Sequence, residues 1–100
     1  MKNDILNEQV KLFNLMKSWD FSKSEIGDAG AKVLEKALRT NTKLDVLVLE
    51  DNNIGDAGAK YFIDALKTNT TMRKIDLKYN KISKSLIDQI EQKIKRNRGV

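Results

Sequence analysis

The sequence predicts an α/β fold: a short right-handed solenoid of about three parallel strands, with helices on the convex side and helical caps at both ends. Three observations predict it. The segment IGDAGAK at Ile26–Lys32 returns at Ile54–Lys60, an offset of 28 residues. Residues 26–53 and 54–81 are identical at fourteen of their twenty-eight positions, so the chain is internally repetitive. Within each unit the apolar spacing switches from a helical period to an alternating one.

The helical half comes first. Ala31, Leu34, Ala37 and Leu38 form one apolar stripe, with Lys32, Glu35, Lys36 and Arg39 off it. The second copy uses Ala59, Phe62, Ala65 and Leu66. Asp28 and Asp56 stand where an N-cap is wanted, and their charge suits the positive helix end. The TNT segments at Thr40 and Thr68 close the helices, with Asn41 and Asn69 expected in the left-handed conformation. Gly27, Gly30, Gly55 and Gly58 fit tight turning and close packing. The spacing GDAG lacks the long loop and the Lys-Ser/Thr of a phosphate loop.

The strand half follows. Leu47 and Leu49 alternate with Val46 and Val48. Met72, Ile75 and Leu77 repeat this around Lys74 and Asp76. A strand, a helix and a strand in each unit require a parallel pairing, and such crossovers are right-handed. Helices are wider than strands, so the stack curves with the strands inside.

Weaker echoes flank the two units. Met16, Trp19 and Phe21 fall 28 residues before Leu44, Leu47 and Leu49; Ile82, Ile90 and Ile94 fall 28 after Ile54, Phe62 and Leu66. One domain over 1–100 therefore divides into a capping helix (1–15), a partial repeat (16–25), two repeats (26–53 and 54–81) and a partial repeat with a cap helix (82–100). Ile5, Leu6, Val10, Leu12 and Phe13 supply the apolar side of the first cap. Leu86 and Ile87 replace a Gly and an Ala of the earlier units, so the last helix packs differently. The expected core is Trp19, Phe21, Leu34, Leu38, Leu47, Leu49, Phe62, Leu66, Ile75, Leu77 and Ile90.

The composition excludes several chemistries. The chain has no cysteine and no histidine, which removes disulfides, thiolate metal sites, the commonest general base and the usual pH switch. The N-terminus lacks the apolar core of a signal peptide, and no stretch approaches a membrane span. A cytoplasmic protein is the default reading; export without a cleaved leader would leave no mark. Charge is uneven: residues 1–53 carry −1 and residues 54–100 carry +6.

The string LDVLVLEDNNIGDAGAKYFIDAL resembles a leucine-rich repeat. Leu44, Leu47, Leu49 and Asn52 meet the pattern LxxLxLxxN, and Met72, Ile75, Leu77 and Asn80 meet it again. The 28-residue length and helical second half are similar to the ribonuclease-inhibitor class, over about residues 16–98. The resemblance implies a curved solenoid, an asparagine ladder through Asn52 and Asn80, and protein binding on the concave sheet. Ser24 stands where the first partial unit would carry the ladder Asn, which weakens the ladder there. In general style the chain also resembles the repeat arrays of actin-binding tropomodulin-like proteins, although no residue specifies actin.

Placed side by side, the strands would align Ser18, Val46 and Lys74 in one row and Asp20, Val48 and Asp76 in the next. Ser22, Glu50 and Lys78 follow, then Lys23, Asp51 and Tyr79. The expected partner-binding residues are Ser18, Asp20, Val46, Val48, Glu50, Asp51, Lys74, Asp76, Lys78 and Tyr79. Tyr79 is the best anchor, because aromatic side chains dominate many interfaces. The carboxylates lack a nucleophile or base beside them, and Glu50 with Asp51 offers too few ligands for a metal. No enzyme, cofactor or small-molecule substrate is expected. A protein partner is, with a homodimer through open strand edges in addition. Two alternatives stand beside this reading. One is a regulatory fragment or remnant of a larger repeat protein. The other is a basic adaptor binding an acidic partner or nucleic acid through Lys93, Lys95, Arg96 and Arg98; the absence of interleaved aromatics there argues against a base-stacking platform.

Overall fold

The computed structural model describes residues 3–99. In chain order the elements are α1 (Asn3–Val10), a short 3-10 helix (Lys11–Leu15), β1 (Ser18–Asp20), α2 (Gly27–Thr40), β2 (Val46–Val48), α3 (Asp56–Leu66), β3 (Lys74–Asp76) and α4 (Lys84–Arg98). The strands form one parallel sheet in the order β1-β2-β3. Ser18 pairs with Val46 and Val46 with Lys74, so the register steps by the repeat length. The least extent of the molecule, 18 Å, is that of one sheet layer and one helix layer. This is a short α/β solenoid.

Alternation decides which side chains enter the space between the layers. Leu47, Leu49, Ile75 and Leu77 point inward and meet Leu34, Leu38, Phe62 and Leu66, all buried. Leu44, Ile54, Met72 and Ile94 complete the core from the turns and α4. Trp19 departs from expectation: it is half-buried rather than core, stacked 5.5 Å from Phe21. It lies on an outer strand, so a neighbouring repeat covers it on one side only.

At the first end, the expected capping helix is two pieces, α1 and the 3-10 turn. Leu6 is 1% exposed, whereas Ile5 and Leu12 stand 52% and 45% exposed, so a narrow stripe does the covering. The Phe13 side chain lies outside the described residues. At the other end Ile90 and Ile94 of α4 are buried, and Leu86 and Ile87 pack against the core.

The helix starts depart from the sequence reading. Asp28 and Asp56 do not cap their own helices. Asp28 Oδ1 instead accepts from the N–H groups of Gly55 (2.7 Å) and Gly58 (3.0 Å), at the start of the next helix. Asp56 does the same one unit later for Ser83 N–H, at 2.7 Å. Both carboxylates sit at the first turn, so stacking brings each over its neighbour's N-terminus, where negative charge is favoured. Gly58 permits the approach: a Cβ there would come within 2.6 Å of the Asp28 carboxylate and of Ile54. At the matching place Leu86 donates to Ser83 C=O instead.

The helix ends differ too. Asn41 is extended (φ −75°, ψ 135°), and Asn69 is not left-handed either. Each acts through its side chain. Asn41 Oδ1 accepts from Lys43 and Leu44 N–H, and Asn69 Oδ1 from Thr71 and Met72 N–H. Asn69 Nδ2 reaches back to the carbonyls of Leu38 and Asn41. Asn97, 28 residues further, donates to the carbonyls of Asn69 and Met72. Asn69 and Asn97 thus bond across units, and Asn41 and Asn69 hold the turns before β2 and β3.

A second set does so after each strand. Asn52 Oδ1 accepts from Ser24 and Ile26 N–H, and its Nδ2 donates to the carbonyls of Phe21 and Glu50. Asn80 repeats this with Asn52 and Ile54 N–H and the carbonyls of Leu49 and Leu77. Ser24 is too short to span a unit; its hydroxyl donates locally to Ser22 C=O at 3.3 Å.

Candidate partner-binding face

The even-numbered strand residues point away from the helices. Ser18, Val46 and Lys74 lie in register, as do Asp20, Val48 and Asp76. Beyond the strands the alignment continues through backbone bonds from Lys23 N–H to Glu50 C=O and from Asp51 N–H to Lys78 C=O. Ser18, Asp20, Val46, Val48, Lys74 and Asp76 thus share one side of the sheet, and Glu50, Asp51, Lys78 and Tyr79 lie in the turns that follow it. Adjacent strands stand about 4.8 Å apart, which puts Asp20 and Asp76 roughly 10 Å apart.

The face is uneven. Ser18, Asp20, Asp51, Lys74, Lys78 and Tyr79 are exposed; Val46, Val48 and Glu50 are half-buried; Asp76 is buried. Tyr79 is 80% exposed, so packing within the chain does not account for the ring. Its backbone is left-handed (φ 61°), as it is at Asp51 and Lys23, one repeat and two repeats earlier. The turn after each strand therefore demands this conformation, and a tyrosine tolerates it poorly.

Carboxylates cross the centre of the sheet. Glu50 has its pKa raised, first by a hydrogen bond with Asp76, then by desolvation and by repulsion from Asp76 and Asp20. Lys78 opposes the rise. Asp20 has its pKa lowered by hydrogen bonds from Ser22, whose N–H lies 2.8 Å from Asp20 Oδ1. Asp76 Oδ1 accepts from Lys78 N–H in the same way. Among the described residues, no group of three or more His, Cys, Asp or Glu could hold a metal ion.

A family model described as Leucine Rich repeat matches residues 14–34, 40–62 and 68–85, well over half the chain. The chain belongs to the leucine-rich repeat family. Among solved structures it is similar to the tropomodulin C-terminal domain of Caenorhabditis elegans (TM-score 0.77, 12% identity), covering 92% of this chain and 58% of that one. It is also similar to the Actin-Binding Site 2 of leiomodin-1 (TM-score 0.76, 24% identity), covering 93% of this chain and 55% of that one. The chain thus spans little more than half the length of either structure. A search of curated proteins finds no match.

The repeat architecture also creates a feature that side-chain patterning does not announce. α4 continues the helical layer beyond α3, and β3 is the last strand among the described residues. Between the edge of β3 and the inner side of α4 lies a groove of about 530 Å³. Its floor is Ile75, Leu77, Ile82, Ile87, Ile90 and Ile94. Arg73, Lys74, Lys78 and Arg98 stand around it with Asp76 and Glu91. The basic C-terminal stretch is partly structural: Arg96 Nη2 donates to Leu66 C=O at 2.7 Å, closing the end of α3.

Proposed function

We propose that this leucine-rich repeat domain is a non-catalytic protein-binding module that engages its partner on the concave sheet face, in the cytoplasm. The observation that carries the reading is Tyr79: an 80% exposed aromatic ring held on a left-handed backbone at the end of that face. Exposed aromatics beside charged residues are the usual anchors of protein interfaces. Ser18, Asp20, Val46, Val48, Glu50, Asp51, Lys74, Asp76 and Lys78 supply the surrounding polar and apolar contacts. One structural neighbour is an actin-binding site of leiomodin-1, which makes actin the first partner to test. No described helix is long and apolar enough to cross a membrane, which fits a domain that meets its partner in solution.

The test is titration of the domain with purified actin, monomeric and filamentous, followed by capture of other partners on immobilised protein. Lys74→Glu with Tyr79→Ala should abolish binding while leaving the circular dichroism spectrum intact. Equal loss from Lys36→Glu with Lys60→Glu, on the helical side, would place the site on the convex face and overturn the reading.

A further inference from the structure

We infer that the edge of the molecule formed by the helix ends and the turns before the strands is a docking surface for an anionic lipid membrane. None of the residues that carry the inference belongs to the concave face.

Charge supplies the first argument. Each helix ends and the chain turns back toward the sheet at the same edge, so residues 11–17, 39–45, 67–73 and 95–99 lie side by side. Backbone bonds join them: Asp45 N–H donates to Lys17 C=O, and Arg73 N–H to Asp45 C=O. Asn97 Nδ2 ties the last of them to Asn69 C=O. Together these segments hold nine basic residues and one acidic residue, Asp45. At the opposite edge, residues 21–28, 49–56 and 77–84 hold four basic and five acidic residues. The positive charge of the chain is thus gathered on one edge.

Helix dipoles account for only part of the excess. Cations are favoured at helix C-termini, which suits Arg39 and Lys95. Lys17, Lys43 and Arg73 lie outside the helices, and all three are exposed. Lys11, Arg39, Lys67 and Lys95 recur at one position of the repeat, 28 residues apart. Glu35 holds Arg39 at 2.7 Å. The pairs of Lys11 with Glu8 and Lys67 with Asp64 are exposed on both sides, so they leave those cations able to meet another anion.

Two leucines select the lipid. Leu12 and Leu15 stand on this edge, and Leu15 is 79% exposed. One repeat later the same positions carry Thr40 and Lys43, both exposed although a unit flanks them on either side. The outward aspect of the two leucines is therefore set by their place in the repeat, not by their place in the first unit. Apolar side chains among cations enter the boundary between headgroups and acyl chains, while the cations meet lipid phosphates. Among the described side chains of this edge there is no aromatic ring on which a nucleic-acid base could stack.

The experiment is cosedimentation of the full chain with vesicles, either of phosphatidylcholine alone or of equal parts phosphatidylcholine and phosphatidylserine. The chain should bind the second kind and not the first, and added salt should release it. Lys43→Glu with Arg73→Glu should weaken binding by at least about tenfold. Leu12→Ser with Leu15→Ser should weaken it as well, whereas Lys32→Glu with Lys60→Glu, further up the helices, should leave it unchanged. All these side chains are exposed, and circular dichroism verifies the fold of each variant. Absence of binding, equal binding to both vesicles, full binding by either edge variant, or equal loss from the helical variant would each overturn the proposal. Tighter binding to a single-stranded oligonucleotide would overturn it too, by assigning the edge to nucleic acid. Lipid is the probe and the variants leave the concave face intact, so the result is independent of whether that face binds a protein.

Discussion

Asn52 satisfies four backbone groups with one amide and is 1% exposed, so its removal leaves donors and acceptors without partners in a dry place. Asn52→Ala should destabilise by about 1–3 kcal/mol, and Asn80→Ala by less because that turn is more open to water. Urea melts of the two variants check the order. Tyr79 is the opposite case. Tyr79→Asn relieves a left-handed strain and should raise stability by up to about 1 kcal/mol while weakening partner binding. A variant both less stable and fully binding would remove Tyr79 from the interface. Glu50 adds a pH signature. Its folded pKa is raised, so ionising it costs the folded state stability above the carboxyl range, and the cost disappears once it is protonated in both states. Glu50→Gln should therefore be the more stable protein near neutral pH, with the difference closing as pH falls below that range. Asp20, with its pKa lowered, has the reverse sign: its contribution is present at neutral pH and lost in acid. The residue types on the face were legible from the two-residue period. The left-handed turns were not, because Lys23, Asp51 and Tyr79 share no side-chain chemistry that announces the conformation.

Helices and strands followed their apolar periods closely, since each period reports which side meets the other layer. What escaped was their punctuation. Asp28 was read as a cap for its own helix, a rule built on partners three residues away; its partners lie 27 and 30 residues away, in the next unit. Asp28→Ala should accordingly weaken the start of α3 rather than α2, at about 0.5–2 kcal/mol. Hydrogen exchange resolved by residue distinguishes the two helices. Asp56→Ala should cost less, as it holds one N–H where Asp28 holds two. Asn97 was recoverable, because it stands 28 residues after Asn69; the weak repeat around it hid the match. α4 presents a plainer case. Ile90 is 1% exposed beneath it, and Ile90→Ala should cost about 2–5 kcal/mol in a denaturant melt. Mild loss there would mean that α4 is not what covers the open side of Phe62 and Leu66.

For the molecule as a whole, the repeat period settled the direction and pairing of the strands before any contact was known. Both outer strands leave backbone groups at the sheet's margins. Lys74, Lys78 and Lys81 guard the β3 side against like copies, while Lys17 and Lys23 guard β1 less densely. We propose a two-fold dimer joining β1 strands antiparallel into one continuous sheet. Sedimentation equilibrium over a wide concentration range should show the doubled mass, and Ser18→Pro should abolish it. A monomer at every concentration would exclude that dimer.

The two asparagine series have a consequence for how such a chain can change length. Each series includes a bond across units at a spacing of 28 residues, Asn80 with Asn52 after the strand and Asn69 with Asn41 before it, so the loop between them is measured at both ends. Adding a single residue inside a unit would put one series out of step with the other. Deleting an entire unit would not. Joining Glu25 directly to Ile54 removes residues 26–53 yet presents the same IGDAGAK segment to the upstream turn. Growth and shrinkage of this architecture are therefore quantised: the permitted step is a whole repeat, and duplication of a gene segment is its natural route.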